Sequence, residues 1–346
     1  VIQLADENDL STQWLLSGLK QVSECFAAEL LSDLDCVNEL VQHVERYRGK
    51  MLRPTLVLVA AQAASSQKEP LKAELITLAA VTEMVHMATL VHDDILDEAE
   101  LRRQGATLNH LHGNESAVML GDYLISHAYH LCGSLGMTDV SRAIAATTNT
   151  VCEGELLQLA NRNNWQLDER TYFEIIRRKT AVLTATCCQL GAQLAGGPDA
   201  QCQALYDYGM KLGMAFQIID DLLDLTGDAR AVGKSLGRDL AKGKLTLPMI
   251  LFLQDAPADD RSRALNQLMV FERTDSQANQ SVTTEMNNAA AELTQTLVAS
   301  DALDQSKAKA ADLVGQAKAA IVHELPDTPT RALLLNTADR VVARDH

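Results

Sequence analysis

VHDDILDEAELRR, Val91 to Arg103, holds three aspartates in DDxxD spacing, Asp93, Asp94 and Asp97, followed by an arginine pair, Arg102 and Arg103. The segment before it, Leu71 to Leu90, is mostly apolar and free of Gly and Pro, so it predicts a long buried helix that runs into the aspartates. On that helix Asp93 and Asp97 are four residues apart and share a face. Carboxylates at that spacing repel, and near a helix C-terminus they also meet the negative end of the dipole. The arrangement becomes favourable once a hard divalent cation sits there, because Mg2+ takes carboxylate oxygens and shares them with substrate phosphates. A solvated acidic helix end would explain one such motif. It does not explain two, and Asp220, Asp221 and Asp224 repeat the spacing in FQIIDDLLDLTG at the end of another apolar helical run.

A length of 346 residues would by itself suit two domains. Composition argues for one large helical body over 1–346: Ala and Leu dominate, and no proline occurs between Pro70 and Pro198 or between Pro198 and Pro248. A net charge of −16 speaks against a nucleic-acid partner, so any phosphate chemistry must rest on local Lys and Arg clusters. The seven cysteines are odd in number, scattered and without CxxC spacing, which fits reduced, mostly buried thiols. Asp6, Glu7 and Asp9 suit no signal peptide, and the longest apolar run, read as Thr55 to Ala64, is too short to span a bilayer. The expectation is a cytoplasmic protein with no transmembrane segment.

Basic and polar residues gather at four further places. In RYRGKMLRPTL, Gly49 ends one helix and Pro54 suits the first turn of the next; Arg48, Lys50 and Arg53 concentrate positive charge at that helix start, a natural phosphate cradle. His86, with Thr82, Val85 and Thr89, lies on or near the face of Asp93. Within the helix predicted over ERTYFEIIRRKTAVLTATCCQLGAQLAG, capped by Asp168 and closed at Gly196–Gly197, Lys179 and Thr180 sit among core residues. An inward Lys179 needs anionic company. Gln217 shares the face of Asp220 and Asp224, and the loop GDARAVGKSLGRDLAKGK offers Lys234 and Lys244. RRQGATLNHLHGN reads as a loop, with His110 and His112 on its surface. No GxxxxGK[ST] or GxGxxG fingerprint is present.

Two acidic clusters that face each other, ringed by Lys and Arg, would hold a metal-bridged diphosphate and neutralise the charge on a departing one. No Ser/His/Asp arrangement and no cysteine in a basic setting competes with that chemistry. It points to ionisation of a diphosphate ester, leaving a carbocation in an apolar helical cavity.

With GKMLRP, DDILDEAELRR, GELLQ, KT, FQIIDDLLD and GKSLGRDLAKGK in this order from Gly49 to Lys244, the chain resembles the all-trans polyprenyl diphosphate synthases of the isoprenoid synthase family. Its tail, LPDTPTRALLLNTADRVVARD, is similar to that of bacterial octaprenyl diphosphate synthases. The resemblance implies an all-α isoprenoid synthase fold, antiparallel helices around a deep central cavity, in a homodimer. It also implies condensation of isopentenyl diphosphate with an allylic diphosphate such as farnesyl diphosphate, and a long, octaprenyl-like product for quinone side chains, delivered to a membrane prenyltransferase. Asp93, Asp97 and Asp220 would bind Mg2+, with Asp94, Asp221 and Asp224 completing the acidic walls. Arg102, Lys179, Thr180, Gln217 and Lys234 would contact the allylic substrate, and Lys50, Arg53, His86 and Arg103 would hold isopentenyl diphosphate. The family limits product length with bulky residues four and five positions before the first motif. Here these are Thr89 and Ala88, both small, which implies an open tunnel with its floor further on, around Tyr129 to Cys132. Met51 departs from the Arg common in the family, and Gln104 from the usual Gly. A shorter-chain synthase, a terpene cyclase and a non-catalytic subunit of a heteromeric synthase are the competing readings. The intact second motif and GKMLRP weigh against the cyclase, and two complete aspartate motifs weigh against the non-catalytic subunit.

Overall fold

A computed structural model describes residues 12–45, 49, 51–65, 71–102, 105–226, 238–271 and 280–344, without side chains at 238 and 280–287. Helices carry nearly all of it. In chain order they are α1 (Gln13–Glu29), α2 (Asp35–Glu45), α3 (Leu52–Ala64), α4 (Ala73–Leu96), α5 (Leu108–Ser134), α6 (Thr138–Ala160), α7 (Glu169–Ile176), a π-helical turn (Arg177–Ala181), α8 (Val182–Leu194) and α9 (Asp199–Thr226). The short α10 (Arg238–Ala241), α11 (Leu247–Asp255), α12 (Ala258–Leu268), α13 (Gln280–Val298), α14 (Ala302–Val322) and α15 (Pro329–Val342) follow. The only strands among the described residues, β1 (Leu101–Arg102) and β2 (Gly105–Ala106), form a minimal antiparallel hairpin after the first aspartate motif.

Contacts divide the chain into two compact units. The first comprises 1–149, 182–210 and 316–340. Its core is α4, packed against α1, α3, α5 and α8. Leu75, Ile76, Leu78, Val81, Met84, Val85, Met87 and Val91 are all buried, so α4 has no polar face over most of its length, as expected of a helix wrapped by others. It is long and apolar enough to cross a membrane, unlike the shorter run the sequence reading singled out, yet most of its apolar window is buried inside the protein. α3 and α8 meet at backbone distance: a Cβ on Gly191 would lie 2.3 Å from the Val57 carbonyl oxygen, so this crossing admits only glycine. Tyr208, fully buried on α9, donates to the Leu334 carbonyl of α15 at 2.7 Å and satisfies its hydroxyl there.

The second unit comprises 150–181, 211–315 and 341–346. In it α11 packs against α7, α12 and α13, and α12 against α13.

Several boundaries depart from the sequence reading. The segment read as a loop through Asn114 is the hairpin followed at once by α5, which bends at Gly113 (φ 80°) and carries His110 and His112 as exposed helical residues. The helix predicted through Arg177–Lys179 does form, with Asp168 capping it through Thr171 N–H at 2.8 Å, but it contains the π turn. All seven cysteines are free, with Cys132, Cys187, Cys188 and Cys202 buried. Burial raises the thiols of Cys187, to about 12, and Cys188, which makes both inert.

Candidate active site

The first unit carries Arg53, His86, Ala88, Thr89, Asp93, Asp94, Asp97 and Arg102; the second carries Lys179, Thr180, Gln217, Asp220, Asp221 and Asp224. Lys50, Arg103 and Lys234 lie outside the described residues.

Asp97 is the C-cap of α4, its N–H bonded to the Asp93 carbonyl at 2.8 Å, so the two outer aspartates of the motif sit one turn apart where the helix ends. Glu98 then adopts a left-handed conformation (φ 46°), which stops the helix and turns the chain into the hairpin. The hairpin returns Arg102 onto the middle aspartate. Its Nε donates to Asp94 Oδ1 and Oδ2 at 2.9 and 3.0 Å, and its Nη2 lies 2.7 Å from Oδ1. Asp94 is buried, while Asp93 and Asp97 keep accessible surface. Asn109 Nδ2 ties the same corner by donating to the Asp94 and Ala99 carbonyls, and the Thr107 hydroxyl also bonds Ala99. Asp94 is thus a wall of the site only in the sense that it anchors Arg102 and the exit from α4.

Further back, Arg53 on α3, Thr82 and the buried Glu83 on α4, and Cys187 on α8 share one neighbourhood: after burial, the influences on the Cys187 thiol are Arg53 and Thr82, which lower it, and Glu83, which raises it. His86 is half-buried, and its carbonyl accepts from the Thr89 hydroxyl at 2.7 Å. Ala88 is fully enclosed, whereas Thr89 retains accessible surface. Met51, which departs from the expected Arg, takes a left-handed conformation (φ 50°) as it opens α3, with its carbonyl accepting from both N–H and hydroxyl of Thr55.

In the second unit the middle aspartate is again the inward one. Asp221 accepts from the buried Tyr172 hydroxyl at 2.6 Å and from Gln217 Nε2 at 2.8 Å; Gln217 Oε1 in turn accepts from Thr180 at 2.9 Å. Burial is the main force that raises the Asp221 carboxyl, with Asp239 adding to it, while its two donors pull it back. Asp220 is exposed, and Arg344 Nη2 stands 3.7 Å from it, the guanidinium lying over the Phe216 ring at 4.5 Å. Asp224 Oδ2 accepts the Asp239 backbone N–H at 3.2 Å. Neither Tyr172 nor Arg344 carries a sequence signal for this role; each comes from a segment remote in the chain.

The GELLQ motif acquires a physical reading here. A Cβ on Gly154 would lie 2.5 Å from the Lys179 backbone nitrogen, so glycine lets α6 approach the π turn. Glu155 and Gln158 on the same helix then receive Lys179 Nζ, the first as an ion pair and the second at 2.9 Å. The anionic company that an inward Lys179 required is Glu155. Beside it Glu174 binds Arg177 and Arg178 at 2.6–2.8 Å, and Arg178 also reaches Glu153.

Comparison with known proteins gives the family. The family model "Polyprenyl synthetase" matches residues 35–286. Octaprenyl diphosphate synthase of Escherichia coli is 33% identical over 341 residues, 98% of each chain. Heptaprenyl diphosphate synthase component 2 of Geobacillus stearothermophilus is 38% identical over 242 residues, 70% of this chain and 74% of its own. Among solved structures, a polyprenyl synthase from Caulobacter crescentus complexed with calcium and isoprenyl diphosphate aligns with a TM-score of 0.84 at 32% identity, covering 97% of both chains. The chain belongs to the polyprenyl synthetase family and has the isoprenoid synthase fold. It is a trans-prenyltransferase that condenses isopentenyl diphosphate with an allylic diphosphate, in a family that uses a divalent metal ion.

Proposed function

We propose that this single catalytic domain elongates an allylic diphosphate with isopentenyl units to a long all-trans product near octaprenyl, using Mg2+. The observation that carries the metal reading is the inside-out character of both motifs. In each, the middle carboxylate is consumed by protein donors, while the outer pair, spaced by one helical turn, keeps accessible surface. Oxygen-only donors of this kind fit a hard dication that retains waters and shares substrate phosphate oxygens. Asp93 and Asp97, with Asp220, would hold it, and Asp224 would complete the second carboxylate pair. When bound, the metal neutralises the charge that gathers on the departing diphosphate.

The remaining chemistry falls to the chain and the substrates. The allylic C–O bond breaks, the isopentenyl double bond supplies the electron pair for the new C–C bond, and a proton leaves to the released diphosphate. Lys179, bound by Glu155 and Gln158, and Thr180, bound by Gln217, would orient the allylic diphosphate. Arg53 and His86, with Lys50 and Arg103, would hold the isopentenyl diphosphate, and the apolar helices keep water from the carbocation. Arg102 would act mainly through Asp94. The enzyme would work as a cytoplasmic homodimer and pass its product to a membrane enzyme.

Small side chains at Ala88 and Thr89 support a long product, Thr89 more directly because it keeps accessible surface. Purified protein with farnesyl diphosphate, labelled isopentenyl diphosphate and Mg2+ should give one long species, and Thr89→Tyr a shorter one. A short wild-type product, or an unchanged length in Thr89→Tyr, refutes the open-tunnel reading. The likeness to a protein named as one component of a synthase favours a second reading, a subunit active only beside a partner. Incorporation by the purified chain alone excludes it.

A further inference from the structure

We propose that Glu29, His127 and His130 form a transition-metal site of the zinc class that ties the end of α1 to α5, separate from the aspartate motifs. His127 and His130 are three residues apart on α5 and so project from one face. Their Nδ1 atoms converge on a single oxygen, Glu29 Oε1, at 3.2 and 2.8 Å, and one ligand atom from each of the three residues lies within 4.8 Å of the others. Bonds of about 2.0–2.1 Å in a tetrahedral zinc site put ligand atoms roughly 3.3 Å apart. Small side-chain rotations therefore separate the existing contact into three corners of such a site, and water can take the fourth.

Three features of the surroundings favour a cation. Glu29 is the last residue of α1, where the negative end of the helix dipole attracts positive charge. The Tyr123 ring lies 4.2 Å from that of His127, and its hydroxyl donates to the Leu30 carbonyl at 3.4 Å, so the imidazole is braced from the side facing α1. Glu29 and His127 are largely shielded while the His130 side chain is 78% exposed, which leaves a route in and room for water. Two imidazoles and one carboxylate select Zn2+, Co2+ or Ni2+, whereas Mg2+ prefers oxygen alone. The two kinds of site can thus fill independently in one chain.

The test uses full-length protein stripped with EDTA and resupplied with excess Mg2+ to cover the aspartates. Titration with Co2+ should give the visible bands of a low-coordinate ion, one per chain, displaced by Zn2+. His130→Ala, at an exposed position that folding does not need, and Glu29→Gln should each weaken binding by at least the roughly 10–100-fold that even a supporting partner of a metal ligand is worth. His110→Ala, another exposed α5 histidine, should leave it unchanged. Zn2+ should raise the unfolding midpoint of the wild type by a few degrees and that of His130→Ala not at all. Absence of Co2+ or Zn2+ binding in excess Mg2+, or binding that His130→Ala and Glu29→Gln do not weaken, overturns the proposal.

Discussion

The two aspartate motifs share their spacing and their place at the end of a long helix, yet they neutralise their middle carboxylates by different means. Asp94 meets a cation, Arg102, through a two-pronged pair in which both charges are largely out of water. Asp221 meets neutral donors, the Tyr172 hydroxyl and the Gln217 amide, and its carboxyl is raised by burial and by Asp239. Charge pairing locks the first motif to its hairpin, whereas hydrogen bonding ties the second to α7 and the π turn. The same DDxxD spacing, written DDILD and DDLLD, therefore supports two local designs, and the outer carboxylates are equivalent between them only in keeping accessible surface.

That equivalence is the first thing to break. Asp93→Asn and Asp220→Asn should each lower kcat by about 100-fold or more, the scale of losing a major stabiliser of transition-state charge; steady-state incorporation of labelled isopentenyl diphosphate measures it. A much smaller loss in one variant would confine metal work to the other motif. The inner residues should separate in stability instead. Asp94→Asn strands Arg102 in a shielded position and should cost about 3 kcal/mol, whereas Asp221→Asn keeps neutral partners and should cost about 1 kcal/mol. Urea unfolding in EDTA compares the two, and equal losses would erase the distinction between charge pairing at Asp94 and neutral hydrogen bonding at Asp221. Tyr172→Phe removes one donor from a buried carboxylate and should cost about 1–2 kcal/mol.

The smallest expected effect lies in the ion ladder beside Lys179. The Arg177 and Arg178 guanidiniums hold the Glu174 carboxyl down at about 2. A carboxylate lowered by folding stabilises above its ordinary value of 4.5 and loses that contribution as pH falls towards about 2. Glu174 is more than a third exposed, so solvent screening limits the effect to about 1 kcal/mol or less. Glu174→Gln should accordingly show a slightly lower unfolding midpoint than wild type at neutral pH, and the gap should close in acid.

Much of the molecule was legible in the chain. Freedom from Gly and Pro over Leu71–Leu90 marked the buried helix α4, and Asp168 marked a real N-cap. Lys179 in a core-like helix demanded an anion, and the structure supplies Glu155 from the GELLQ motif. These readings succeed because helix periodicity, capping and charge spacing are local properties of consecutive residues.

What the sequence could not give is which partner each charge takes. The hairpin that folds Arg102 back on Asp94 needs a turn at Glu98 in a conformation that no local rule favours for Glu. Tyr172 reaches Asp221 across 49 residues, and Arg344 approaches Asp220 from near the end of the chain. Likewise, Glu29 meets His127 and His130 about a hundred residues away. Sequence by itself determined the helices and the charged groups, since neighbours along the chain set those. Tertiary structure alone decided which carboxylates are buried and bound and which stay accessible, because burial and long-range hydrogen bonds exist only once separate helices have packed.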